Sequence, residues 1–249
     1  MSDSKTYPEL EQIIQESSRI VFFGGAGVST ESGIPDFRSE AGLFQARQKY
    51  GRPVEQLISR TFFDLYPETF YDYYKSNLIY PEAKPNDAHL ALAALEAQGK
   101  LAAVVTQNID GLHQLAGSRK VFELHGSVHR NFCMSCGTYH SLEEILDPAR
   151  IVPLCKQCGG LVKPDVVLYE EALDDTVVRG AIEAISQADT LIVGGTSLVV
   201  YPAAGLLRHF HGSRLVLINK SSTSEDHRAD LVIRDPIGQV LGSLRSISH

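Results

Sequence analysis

The amino-acid sequence predicts an α/β fold: a doubly wound parallel sheet with a smaller inserted module. Three observations carry this. Short apolar runs alternate with amphipathic helical stretches, a glycine-rich turn follows the first run, and all four cysteines fall in two pairs between residues 133 and 158. A chain of 249 residues with 43% apolar content buries a sizeable core, and that length suits one large domain carrying a small module.

The first element opens at Pro8, after which Leu10, Ile13 and Ile14 repeat at helical spacing. Arg19 to Phe23 follows as a short buried-strand pattern ended by glycines. The remaining candidate core strands are Leu101 to Thr106, Val121 to Leu124, Val166 to Tyr169, Thr190 to Val193, Arg214 to Ile218 and Leu231 to Ile233. Amphipathic helical stretches lie between several of them: Asp87 to Gln98 closed by Gly99, Asp175 to Gln187, and Pro202 to His211 closed by Gly212. Strands that alternate with helices are joined by crossovers, and crossovers make the sheet parallel.

Two segments break the alternation. Residues 38–84 are rich in aromatics and helical in pattern, and residues 129–163 contain the cysteines. The expected organisation is a Rossmann-like domain of residues 1–37, 85–128 and 164–249, with 38–84 and 129–163 forming the small module. Most of Phe63, Tyr66, Phe70, Tyr71, Tyr73 and Tyr74 read as an aromatic helical core.

Cys133-Met134-Ser135-Cys136 and Cys155-Lys156-Gln157-Cys158 are separated by 18 residues. Two such knuckles present four thiolates to one tetrahedral zinc ion, and Gly137 and Gly159 permit the turns that aim the sulfurs inward. Four cysteine ligands leave no open coordination position, so the metal is structural. A nucleic-acid-binding ribbon would need basic residues around the knuckles, but Arg130, Lys156 and Lys163 are opposed by Glu143, Glu144 and Asp147. The net charge of −7, from 23 basic and 30 acidic residues, also argues against a polyanionic partner and suits a lysine-bearing peptide. Paired cysteines, no basic-then-apolar leader pattern and no membrane-length apolar run give a soluble, cytoplasmic expectation.

The loop Gly24-Gly25-Ala26-Gly27-Val28-Ser29-Thr30 follows a strand, where small residues let backbone N–H groups approach a pyrophosphate. A tight strand-to-helix turn is the bland alternative; Thr30 replaces the third glycine of the usual dinucleotide pattern, and no acidic residue ends a second strand some twenty positions on. Thr106-Gln107-Asn108-Ile109-Asp110-Gly111-Leu112-His113 begins at a strand's carboxyl end. Asn108 and Asp110 suit a carboxamide, which needs a donor and an acceptor, but a side-chain-capped βα turn uses the same residue types. His125 ends another strand before Gly126 and is placed for general-base work, whereas His89 and His113 read as core or capping histidines. Glu123 is given no role.

GAGVSTESGIPDFRS over Gly25 to Ser39, TQNIDGLH over Thr106 to His113 and LHG over Leu124 to Gly126 resemble, in order, the motifs of the sirtuins, the NAD-dependent protein-lysine deacylases. The resemblance implies NAD as co-substrate and acyl-lysine proteins or peptides as partners. Catalysis would rest on His125, Asn108 and Asp110, with His125 deprotonating a ribose hydroxyl. NAD would meet Gly25, Ala26, Gly27, Thr30, Phe37, Arg38, Gln107, Asn108, Ile109, Asp110, Thr196 and Ser197, with Asn219 and Ile237 at the adenosine. The peptide would pair with Val167 and Tyr169 on one side and Val199 and Val200 on the other; Glu170 replaces a glycine common in the family and stiffens that loop. Sirtuins that take acidic acyl chains carry Tyr-x-x-Arg, where this chain has Tyr71-Asp72-Tyr73-Tyr74, so acetyl or another neutral acyl group is expected. Nicotinamide, free lysine and O-acyl-ADP-ribose would be the products. The rival readings are a protein mono-ADP-ribosyltransferase and a non-catalytic NAD- or ADP-ribose-binding module.

Overall fold

A computed structural model describes residues 5–36 and 40–247. Among them nine strands run in chain order: β1 Ile20–Gly24, β2 Leu101–Thr106, β3 Val121–Glu123, β4 Gly126–Cys133, β5 Tyr139–His140, β6 Val162–Val166, β7 Thr190–Gly194, β8 Arg214–Ile218 and β9 Leu231–Ile233. Six form a parallel sheet in the order β3-β2-β1-β7-β8-β9, and three form a small antiparallel sheet in the order β5-β4-β6. Chain order reverses about β1, so the carboxyl ends of β1 and β7 flank a topological switch point. Open α/β sheets hold their ligands there.

All five residues of β1 are buried, which is why it reads as a continuous apolar run. Ile20 and Phe22 face helices Pro8–Glu16, Asp87–Ala97 and Ile237–Ser243 through Leu10, Leu92 and Leu241. Val21 and Phe23 face helix Asp175–Ser186 and the 3-10 helix Ala203–His209 through Ala181, Ile185 and Leu207. Helix Asp87–Ala97 starts at Asn86, whose side chain accepts the Ala88 N–H at 2.9 Å while His89 Nδ1 accepts the Asn86 N–H at 3.2 Å. The capping role expected of His89 is therefore met. Gly99, at φ +75°, ends this helix as the sequence predicts.

Two expectations need correction. The run from Val166 to Tyr169 is not a strand of the main sheet: β6 spans Val162–Val166 and pairs antiparallel with β4. Lys163 and Pro164 look like loop residues, yet their backbone registers with Phe132 and Asn131. The stretch from Pro202 is a 3-10 helix ending at Phe210 rather than a longer helix closed by Gly212. Gly212 instead lies against carbonyls, where an added Cβ would be 2.4 Å from the Ala188 oxygen. Tyr66 joins helices Arg60–Leu65 and Pro67–Asn77 and is 48% exposed, so it is the one of the six aromatics outside the core.

The other five aromatics are buried as expected, with the Phe63, Phe70 and Tyr71 rings edge-to-face at centroid distances of 5.0 Å and 5.2 Å. This cluster shares a core with Val162, Ile145 and the buried sulfurs of Cys133 and Cys155. Among the described residues no helix is long and apolar enough to cross a membrane.

Candidate active site and metal centre

The strand ends build the cleft. Gly27 N–H donates to the Gly195 carbonyl at 2.8 Å, bringing the loops after β1 and β7 together. A Cβ on Gly27 would lie 2.8 Å from Gly195 Cα, and one on Gly195, at φ +59°, 2.4 Å from the Val28 nitrogen. Only glycine permits this approach. Asn86 Nδ2 donates to the Val28 carbonyl at 2.8 Å and pins the loop from behind.

The cleft has a volume of about 260 Å³. Of the residues expected at the cofactor, Gly25, Ala26, Gln107, Asn108, Ile109, Asp110, Thr196 and Ser197 line it, as do His125 and, on the peptide side, Val167, Tyr169 and Val200. Gln107 Nε2 donates to Thr196 Oγ1 at 3.1 Å, tying the β2 loop to the β7 loop. Not all expected residues are brought in: Gly27 packs against Gly195 and is not among the residues lining the cleft. Thr30 turns back to donate to the Gly27 carbonyl at 3.0 Å, Asn219 donates to the Ser221 carbonyl at 2.9 Å, and Ile237 is buried beneath Gly194. Val199 is 67% exposed beside the cleft rather than in its lining. Phe37 and Arg38 lie outside the described residues.

Ser29 was missed by sequence reasoning. Its Oγ donates to Asp110 Oδ2 at 2.7 Å and accepts from Asn108 Nδ2 at 3.1 Å, while Asp110 Oδ1 accepts the Leu112 N–H at 2.9 Å. A buried amide and a carboxylate are thus fixed side by side, with donor and acceptor edges suited to a carboxamide. Ser29 stands 79 residues from Asn108. Its small size in a glycine loop is the only local signal.

His125 follows β3, and its Nδ1 lies 3.0 Å from the Gln107 carbonyl. A carbonyl only accepts, so Nδ1 carries a proton, and in the neutral ring the lone pair is then on Nε2. That is the state a general base needs. Gly126, at φ +75°, turns the chain into the small sheet; a Cβ there would sit 1.9 Å from the Asp165 carbonyl. His125 also accepts, through its own carbonyl, the Val167 N–H at 3.0 Å. Glu123, given no role from sequence, pairs with Arg130 Nη1 at 2.6 Å.

Glu170 occupies the left-handed region at φ +77°, at a cost of roughly 1 kcal/mol for a residue with a Cβ. Its carboxylate accepts the Thr61 N–H at 2.8 Å, which offsets that cost and ties the loop to helix Arg60–Leu65. Tyr71 and Tyr74, where an acidic acyl chain would need Tyr and Arg, are fully buried, and Tyr71 donates its hydroxyl to the Val162 carbonyl.

The four cysteine sulfurs lie within 4.8 Å of one another. Cys133–Cys158, Cys136–Cys155 and Cys136–Cys158 sulfur separations are 3.4, 3.7 and 3.3 Å. Zinc–sulfur bonds of about 2.3 Å in a tetrahedron place sulfurs about 3.8 Å apart, so the donor set and its spacing fit zinc. Gly137 and Gly159, at φ +73° and +75°, close the two knuckles as predicted.

The Sir2 family model matches residues 25–202. An NAD-dependent protein deacetylase of Clostridium perfringens is 65% identical over 95% of this chain and 97% of its own, and one of Staphylococcus aureus strain Mu50 is 46% identical over 94% and 96%. A Sir2 structure with a p53 peptide and NAD superposes with a TM-score of 0.82 at 39% identity, covering 96% of this chain and 95% of its own. A second, of Sir2Tm bound to a propionylated peptide, gives 0.82 at 39% over 96% of each chain. A family match over more than half of the chain, together with relatives of this identity and coverage, shows that this chain belongs to the Sir2 family.

Proposed function

We propose that this chain is an NAD-dependent protein-lysine deacetylase with His125 as its general base. The observation that carries the reading is the imidazole: its Nδ1 proton is committed to the Gln107 carbonyl, and the ring lines a cleft shared with Asn108 and Asp110. NAD fits as co-substrate and supplies a breakable bond between nicotinamide and ribose, which lets the acyl group leave as O-acyl-ADP-ribose. The residues do the rest. Gly25, Ala26 and Gly27 with Thr196 and Ser197 hold the phosphates and ribose, and Asn108 and Asp110, aligned by Ser29, hold the carboxamide. Ile109 and Gln107 complete that wall, and Val167, Tyr169, Val199 and Val200 hold the peptide. Phe37, Arg38, Thr30, Asn219 and Ile237 are assigned to the cofactor by family resemblance. Nε2 of His125 removes a proton from a ribose hydroxyl.

Zinc would be held by Cys133, Cys136, Cys155 and Cys158 and serve as a scaffold, since a closed four-thiolate site offers no position to substrate. The proposed division places NAD on residues 1–37, 85–128 and 164–249, with 38–84 and 129–163 forming the wall against which the acyl-lysine lies. No Lys or Arg occurs among the described residues lining the cleft, which supports acetyl or another neutral acyl group. A net charge of −7 supports lysine-bearing protein partners over nucleic acid, and reduced paired cysteines suit the cytoplasm.

Incubation with NAD and a panel of acyl-lysine peptides, followed by mass measurement of the ADP-ribose product, tests the reading. Acetyl-ADP-ribose and free lysine are expected. Label from NAD appearing on protein, or faster release of succinyl than acetyl, would overturn the reaction or the acyl preference respectively.

A further inference from the structure

The geometry points to Arg130 as a positioning residue that holds the catalytic base against the acyl-lysine strand. This rests on the deacetylase reading and concerns a side chain that touches neither NAD nor peptide in it. Arg130 Nη1 binds Glu123 Oε2 at 2.6 Å, and its Nε binds Asp165 Oδ2 at 2.6 Å. Glu123 lies two residues before His125, and Asp165 lies two residues before Val167. One guanidinium on β4 therefore spans the end of β3 and the end of β6, the two segments whose relative position sets the distance from base to peptide.

Between those ion pairs the backbone leaves little tolerance. The Val167 N–H donates to the His125 carbonyl at 3.0 Å, and Gly126 packs directly on the Asp165 carbonyl. These two contacts and the pairing of Gly126 with Val166 fix the backbone register of the segments. The bridge adds a side-chain tie across them, because a planar guanidinium has separate donors for the two carboxylates. The Glu123 side chain is only 8% exposed, whereas those of Arg130 and Asp165 are each 43% exposed, so the buried end is anchored and the brace closes from solvent.

The tests are Asp165→Asn, which opens one arm at an exposed position, Arg130→Met, Arg130→Lys, and the charge-balanced pair Glu123→Gln with Arg130→Met. Deacetylation kcat, KM for NAD, bound zinc and the exchange of labelled nicotinamide into NAD are measured for each. The base acts after nicotinamide departs, so exchange reports the NAD site without it. A shift of the base of about 1 Å costs on the order of ten- to a hundredfold in rate. The expected result for Arg130→Met and for the balanced pair is a kcat at least tenfold lower, with exchange and KM for NAD within twofold and zinc stoichiometric. Asp165→Asn should lose less, and Arg130→Lys should recover part of the loss. A zinc-loaded balanced pair or Asp165→Asn with unchanged kcat, or exchange falling in step with kcat, overturns the positioning role. Absence of deacetylation by the unsubstituted protein would instead overturn the activity on which it rests.

Discussion

Acid should unfold this protein through two histidines that take no part in the proposed chemistry. His89 and His113 are buried with ring centroids 4.7 Å apart, and His113 also meets Phe22 at 6.1 Å. Burial pushes His113 down to about 3, with the neighbouring His89 adding to it. Burial likewise lowers His89 to about 4, opposed by the charge of Asp110. Neither ring nitrogen of His113 has a hydrogen-bond partner among the described residues, so a protonated ring would be uncompensated. With folded values below the unfolded value of 6.5, the unfolded chain binds protons that the folded chain refuses. The stabilising preference for the neutral form is intact above 6.5 and is lost as pH falls towards 4 and 3. Between about pH 7.5 and 5 the loss is roughly 2 kcal/mol for each histidine, or about 4 together.

Urea unfolding followed by circular dichroism at those two pH values measures it. Zinc thiolates also protonate in acid, so the informative quantity is the difference between the unsubstituted protein and His113→Leu. The variant should lose about 2 kcal/mol less over the same interval. Equal losses in the two proteins would refute the argument that buried neutral imidazoles set the acid limit.

Three further outcomes follow from the site. His125→Ala should keep its fold and zinc but lose deacetylation by at least about a hundredfold, measured as acyl-ADP-ribose formed; near-normal turnover would remove His125 from the mechanism. Ser29→Ala deletes the bonds to Asp110 and Asn108, worth roughly 1 to 1.5 kcal/mol, and should raise the nicotinamide concentration for half-maximal exchange about five- to tenfold. Chelating the metal should unfold the module built around Cys133 and Cys155 and abolish activity, and a folded, active apo-protein would exclude a structural zinc.

Much of the fold is legible because its signals are local. β1 announces itself as an apolar run because both of its faces are covered, and Gly99 ends its helix through a backbone conformation that only glycine adopts freely. Segments at the border between the two sheets are harder. Val166 to Tyr169 is apolar in either context, and nothing in four residues says whether they join the parallel sheet or leave β6 towards the peptide loop. Tyr66 lies among core aromatics in sequence, but the helix break at Pro67 turns it outward.

By itself the sequence determined the glycine cradle, the two cysteine knuckles and the placing of Asn108, Asp110 and His125 at strand ends, because spacing and strand termini are properties of a short stretch of chain. Tertiary structure alone decided which of these meet and what aligns them. Ser29 reaches Asn108 from 79 residues away, Arg130 reaches Asp165 across 35, and Glu170 holds a left-handed backbone only because Thr61, 109 residues earlier, offers it an N–H. Hydrogen bonds and ion pairs have ranges of about 3 Å, and only packing brings residues so distant in the chain within that range.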